Sequence, residues 1–185
     1  VQRKARLLVP YTAAVSRLVQ PAILSVQRGV LQWSGALTAT ATILPVNLAN
    51  AVISFNGNAV NVNTLAWHAR VELTNSTTVT AVRQDNGAGV TQLSWEVIEY
   101  APGVIRSVQR GASTLTAAAG TNVTITAVSA LATTSVDMLG YTAPPAGASA
   151  LTLPLVTLTA PTTLTMTSGG LASGLLIGWQ VTEWN

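Results

Sequence analysis

The sequence predicts an all-β protein: two tandem antiparallel β-sandwich units related by internal duplication, preceded by a basic N-terminal arm. Three observations predict it. The 185 residues include 26 threonines beside abundant Val, Leu and Ala, punctuated by 14 Gly and 8 Pro, and β-branched residues favour a pleated surface. Polar and apolar residues alternate with period two in runs such as Ala69-Arg70-Val71-Glu72-Leu73 and Leu93-Ser94-Trp95-Glu96-Val97, the mark of half-buried strands. Five segments of the first half recur, in order, in the second, at the spacing of a repeat.

Residues 1–22 form the arm. Residues 1–71 hold six basic side chains and no acid, whereas the remainder holds three basic and six acidic ones. The pI near 10 therefore reports an asymmetric charge, with Arg3, Lys4, Arg6 and Arg17 concentrated at the start. Pro10 and Pro21 interrupt this segment, leaving helix and extended chain both open for residues 1–20. Stacking aromatics are needed to read single-stranded nucleic acid, and the arm offers only Tyr11. A solvated tail or a segment packed on a partner protein is the expectation, and nucleic acid is not an expected partner.

Unit 1 spans residues 23–101 and unit 2 residues 102–185. Ser25-Val26-Gln27-Arg28-Gly29 returns unchanged as Ser107-Val108-Gln109-Arg110-Gly111. Thr40 through Val46 corresponds to Asn122 through Val128, Val52 through Asn56 to Val136 through Gly140, and Val71 through Thr80 to Val156 through Thr165. Leu93-Ser94-Trp95-Glu96-Val97-Ile98-Glu99-Tyr100 closes unit 1, as Ile177-Gly178-Trp179-Gln180-Val181-Thr182-Glu183-Trp184 closes unit 2. Asn56-Gly57, Asp85-Asn86-Gly87 and Ser168-Gly169-Gly170 supply turn chemistry between the runs, and Ala101-Pro102-Gly103 links the units. Each unit is expected to hold five or six short strands.

Composition removes most chemistries. With no Cys and one His, there is no thiolate, no disulfide framework and no histidine-rich zinc site; no cofactor or metal is expected. Mean hydropathy is +0.44, yet Thr, Ser, Asn, Gly and Pro break every uncharged stretch before it reaches the roughly 20 apolar residues of a spanning helix, so no membrane insertion is expected. The basic start from Val1 to Arg6 leads into no apolar run with a small-residue cleavage site, and no secretory signal is expected. No phosphate-loop, dinucleotide, nucleophile-elbow or zinc-protease motif occurs, and His68 is the sole imidazole that could serve a Ser or Thr nucleophile. An enzyme is not expected.

The remaining polar and aromatic residues have structural readings. Trp95 and Trp179, in equivalent places, are expected in the core. Glu99 and Glu183 lie one in each unit and are read as hydrogen-bonding or interface residues, not as a catalytic pair. Arg28 and Arg110 precede glycines, which suggests a strand followed by a bulge or turn. Trp67-His68 could stack on a sugar ring and bond its hydroxyls; unit 2 lacks a counterpart, and core or interface use is the first reading. The sequons at Asn75 and Asn122 are read as coincidental in so Thr-rich a chain.

The Val-Gln-Arg-Gly opening, Arg70-Val71-Glu72-Leu73-Thr74-Asn75, Thr77-Thr78-Val79-Thr80 and the closing Leu93 to Tyr100 strand resemble small β-sandwich repeats in structural proteins of tailed bacteriophages. The closing strand is also similar to the one that ends H-type lectin domains, which are six-stranded, trimeric sandwiches. The resemblance covers residues 23–185, and the lectins' sugar-contacting residues do not map onto it. It implies a non-enzymatic virion protein assembled in the bacterial host cytoplasm: a capsid decoration (cement) or head-fibre protein, or a tail component. Its partners would be major capsid, portal or tail proteins, met through Arg3, Lys4, Arg6 and Arg17, with a homo-oligomer, a trimer by analogy, as the expected state. The alternative is a glycan-binding host-recognition module using Trp67 and His68.

Overall fold

Alternation along the sequence becomes burial in the structure. In β5 (Thr78–Val82), Val79 and Ala81 are buried between half-exposed threonines, and β11 (Thr163–Ser168) buries Leu164 and Met166 in the same way. The computed structural model describes residues 22–61, 68–116, 120–143, 153–169 and 174–185. Among them the remaining strands are β1 (Ile23–Trp33), β2 (Thr38–Thr42), β3 (Ala51–Val60), β4 (Arg70–Asn75), β6 (Thr91–Tyr100), β7 (Ile105–Leu115), β8 (Thr121–Thr124), β9 (Thr134–Thr142), β10 (Pro154–Ala160) and β12 (Leu175–Trp184). There is no α-helix among the described residues, and none that is long and apolar enough to cross a membrane. The expected arm lies outside the described residues.

The strands form three sheets, in the orders β1-β6-β3, β10-β11-β8 and β2-β5-β4-β9-β12-β7. Two apolar cores follow. In the first, Leu31, Ile53, Leu93, Trp95 and Val97 meet Val71, Leu73, Val79 and Ala81, so β1-β6-β3 covers one end of the six-stranded sheet. In the second, Leu115, Tyr141, Ile177, Trp179 and Val181 meet Leu164 and Met166, and β10-β11-β8 covers the other end. The arrangement is sandwich-like at each end. The two ends join where β4 and β9 make a single bridge, Arg70 to Gly140, and Leu139 of β9 belongs to the first core.

Strand pairing in the two halves coincides residue by residue. Gly29 lies opposite Trp95 and Gly111 opposite Trp179; Ser25 faces Glu99 and Ser107 faces Glu183; both ladders slip at the residue just before that serine. The Gln27 side chain exchanges hydrogen bonds with the backbone of Leu44, donating at 3.0 Å and accepting at 2.7 Å. Gln109 repeats this with Thr126, at 2.8 and 2.7 Å. In β3 and β9 the structural offset is 83 residues, because Val52 pairs with Ile98 as Ser135 pairs with Thr182. This corrects by one residue the match read from side-chain type. It also brings together Gly57 (φ +113°) and Gly140 (φ +84°), each inside an irregularity of its ladder that takes the left-handed backbone glycine adopts without strain.

The halves differ at the open end of the first core. Arg83, 1% exposed, donates from Nε to the Ala36 carbonyl at 2.9 Å and from Nη1 to the Gly89 carbonyl at 2.9 Å and the Thr91 hydroxyl at 2.8 Å. From Nη2 it donates to the Gly87 carbonyl at 3.0 Å, and its guanidinium lies over the Trp33 ring at 5.7 Å. Burial pulls its pKa down, opposed by Asp85. One cation thus pins two loops, as buried charge requires hydrogen-bond partners. The matching place in β11 is Ser168, and Leu115 stands where Trp33 does.

Trp95 and Trp179 are core residues, as expected. The glycines of the repeated pentapeptide are not at a bulge or turn, which corrects the sequence reading. Both lie within extended strands with no positive φ. A Cβ on Gly29 would stand 2.6 Å from Trp95 Cζ2, and one on Gly111 2.6 Å from Trp179 Cζ2. Each glycine is the floor on which an indole lies. Gly29→Ala and Gly111→Ala are each expected to cost about 1–3 kcal/mol through overpacking, read as a lower urea midpoint; an unchanged midpoint would contradict this packing account.

Candidate interaction surface

The expected site residues fall into three groups. Arg3, Lys4, Arg6, Arg17 and Trp67 lie outside the described residues. His68 is half-buried and stacks on Tyr141, ring centroids 5.0 Å apart and planes 13° from parallel, and burial lowers its pKa. Glu99 and Glu183 are hydrogen-bonding residues. Glu99 accepts from the Asn47 amide at 2.8 Å and the Ser25 hydroxyl at 3.3 Å; Glu183 accepts from the Ser129 amide at 2.7 Å, the Ser129 hydroxyl, and the Ser107 hydroxyl at 3.1 Å. Each carboxylate ties the segment after β2 or β8 to a central strand. Asn75 caps the β4–β5 turn by accepting from the Thr77 amide at 2.9 Å, a local role for that sequon. Among the described residues no cluster of His, Asp and Glu could hold a metal ion.

Sequence reading missed the junction between the halves. Gln180, fully buried in β12, accepts from the Ile53 amide at 3.1 Å and donates back to the Ile53 carbonyl at 3.3 Å. The side-chain amide thereby closes the edge of β3 as another strand would. Arg110 donates from Nε to Gln180 Oε1 at 2.8 Å, and from its other nitrogens to the carbonyls of Leu48, at 3.2 Å, and Ala51. Burial pulls the Arg110 pKa down to about 10. Gly140 admits β4 at this junction: a Cβ there would meet the Ala69 carbonyl oxygen at 2.5 Å and Arg70 Cα at 2.9 Å, whereas one on Gly178 would crowd Leu139 of β9, at 3.1 Å, and stand in ordinary contact with Arg70 Cβ at 3.5 Å. The signal available in the sequence was the exchange of Ser94 and Glu96 for Gly178 and Gln180.

Among the described residues, nothing covers the same face of the first half as fully. Gly178, Gln180 and Thr182 are buried, whereas Ser94, Glu96 and Ile98, in matching places on β6, are partly exposed. Arg28 pairs with Glu96 in the open. Beside that pair Leu24, Val26 and Val30 of β1 are exposed, Val30 by 65%. Nothing lies within 4 Å of the place a Cβ would take on Gly57. Contiguous exposed apolar side chains rimmed by polar ones mark interaction surfaces.

No protein-family model matches the sequence, and no curated protein or solved structure is significantly similar to it.

The Ser129 hydroxyl above all, then the Ser129 amide, the Ser107 hydroxyl and Arg106, hold the Glu183 carboxyl below its ordinary pKa of 4.5, against an opposing effect of burial. A carboxylate whose pKa is lowered by folding adds stability that is complete above the unfolded value and is lost as pH falls through the folded one. Glu183→Gln is therefore expected to lower the urea midpoint at pH 7, with the gap to the parent narrowing below about pH 4.5. A gap that stays constant from pH 7 to pH 3 would contradict the assignment.

Proposed function

We propose that this chain is a non-enzymatic structural protein of a bacteriophage virion, a capsid decoration or head-fibre protein or a tail component, which stabilises a particle through subunit contacts. The observation that carries a structural role is the outer face of β6, where Ser94, Glu96 and Ile98 are partly exposed while their counterparts Gly178, Gln180 and Thr182 are buried, with the apolar Val30, 65% exposed, beside it. A chain with 8% charged residues that leaves such a face open is suited to permanent contacts. The virion setting follows from the resemblance of the repeated segments to phage sandwich repeats.

We further propose that residues 23–101 and 102–185 are tandem copies of one sandwich unit. The shared registers, the paired Gln27 and Gln109 contacts and the two Trp-over-Gly packings support this. In this reading Arg3, Lys4, Arg6 and Arg17 anchor the chain to acidic surfaces of capsid, portal or tail proteins. The glycan-binding alternative gains no support from His68, since one face of its ring is taken by Tyr141.

The test is cosedimentation with phage particles that lack the protein, using the full chain and a chain beginning at Ile23. The full chain is expected to pellet with particles, and removal of residues 1–22 to abolish pelleting. Failure of the full chain to bind particles, with binding on a glycan array, would contradict the proposal.

A further inference from the structure

The junction inside the chain has two sides, and each side has an unused counterpart elsewhere on the molecule. The receiving side is the outer face of β9 and β12, centred on Gly140 and Gly178, with the exposed Ala112 of β7 at its margin; the entering side is β4 around Arg70. The register coincidence assigns the counterparts. Val30, Gly57 and Ser94 hold the places of Ala112, Gly140 and Gly178, and together with Asn56 and Gln92 they line an open hollow. Leu155 holds in β10 the place Arg70 holds in β4, since Leu155 pairs with Thr167 as Arg70 pairs with Val82. Leu155 is 65% exposed and its neighbour Leu153 69%, on a strand that ends its sheet.

We propose that a second copy of this chain occupies the bare face: the β10 edge of one molecule, led by Leu155, enters the hollow beside Val30, Gly57 and Ser94 of the next. The occupant follows from the chain's own construction, because the equivalent face is covered by the equivalent strand. Side-chain sizes are compatible with it. At the internal junction the exposed Ala112 and Glu72 line one hollow; at the proposed one the larger Val30 would stand across from the smaller Thr157, the β10 counterpart of Glu72. Arg28 stands where Arg110 does, poised to donate to carbonyls of the segment that precedes β9 in the neighbour. Glu96 replaces Gln180 and can accept the amide of the neighbour's Val136, the counterpart of Ile53, but has no N–H to give back. The contact between molecules is therefore weaker than the one within them.

Such a contact is heterologous. Repeated from copy to copy it closes a ring where the rotation divides the circle, and builds a filament where it does not. Three copies would make a ring of six units. The inference rests on the proposed structural role and names one partner for it. It needs no particle, so its failure and that of particle binding are separate results.

The test is sedimentation velocity on the purified full chain over a concentration series, with circular dichroism to verify folding. The parent is expected to self-associate, and Val30→Asp and Leu155→Asp, both at exposed positions, to weaken association about tenfold or more. An equimolar mixture of the two variants retains one intact junction and is expected to form dimers that neither forms alone. Glu96→Gln supplies the missing donor and is expected to tighten association about fivefold, a gain that misfolding cannot imitate. A folded parent that stays monomeric, variants that associate like the parent, or a mixture that stays monomeric would overturn the proposal. Association appearing only after removal of residues 1–22 would assign the face to the chain's own N-terminal segment and would also overturn it.

Discussion

The pairing of the Gln180 side chain with the Ile53 backbone decides how this molecule is put together. A β edge presents donors and acceptors that must be satisfied or left to water. One primary amide, lying flat against the edge of β3, supplies both a donor and an acceptor. Because Gln180 sits in the middle of β12, this bond places the second half against the first. Arg110, bound to the same amide, then reaches the carbonyls of Leu48 and Ala51. Gly140 removes the side chain that would otherwise hold the two halves apart.

The consequence is an asymmetry between two similar halves. Matching segments yield the same registers, the same turn-holding glutamates and the same indole-on-glycine packing, yet one sheet face is buried and the other is not. The differences concentrate where the faces matter: Gln180 against Glu96, Gly178 against Ser94, Ala112 against Val30. A carboxylate at position 96 keeps the first half's face compatible with water, since it pairs with Arg28 in the open. The apolar residues beside it keep the face adhesive.

Much of the fold was legible because its signals are local. Alternation located the strands and the recurrence of Trp95 as Trp179 pointed to the core, whereas Asn56-Gly57, read as turn chemistry between strands, lies at an irregularity inside β3. The features that escaped depend on neighbours distant in sequence. Gly29 is required by an indole 66 residues further on, so pattern reading assigned it to a bulge. The Gln180 contact is to backbone, which carries no side-chain signature, and only the exchange of Glu for Gln between the matching segments of the two halves hinted at it. The β3 and β9 match slipped by one residue because valines at 52 and 136 look alike, whereas the ladders align Val52 with Ser135. Trp67 and His68 read first as core or interface residues, with a sugar platform as the alternative; the His68 ring lies against Tyr141, a residue of the other half, a neighbour that no local pattern names.

The central claim is that the bare face of the first half is the open counterpart of a junction already closed inside the chain. Amide hydrogen exchange across a concentration series tests it most directly. The account predicts that Ile53 is protected at every concentration, while protection rises with concentration at Gly57 and Asn58, at Val136 and along β10 near Leu155, and nowhere else. Exchange at those segments that is independent of concentration, or protection that rises at a different surface, would contradict it.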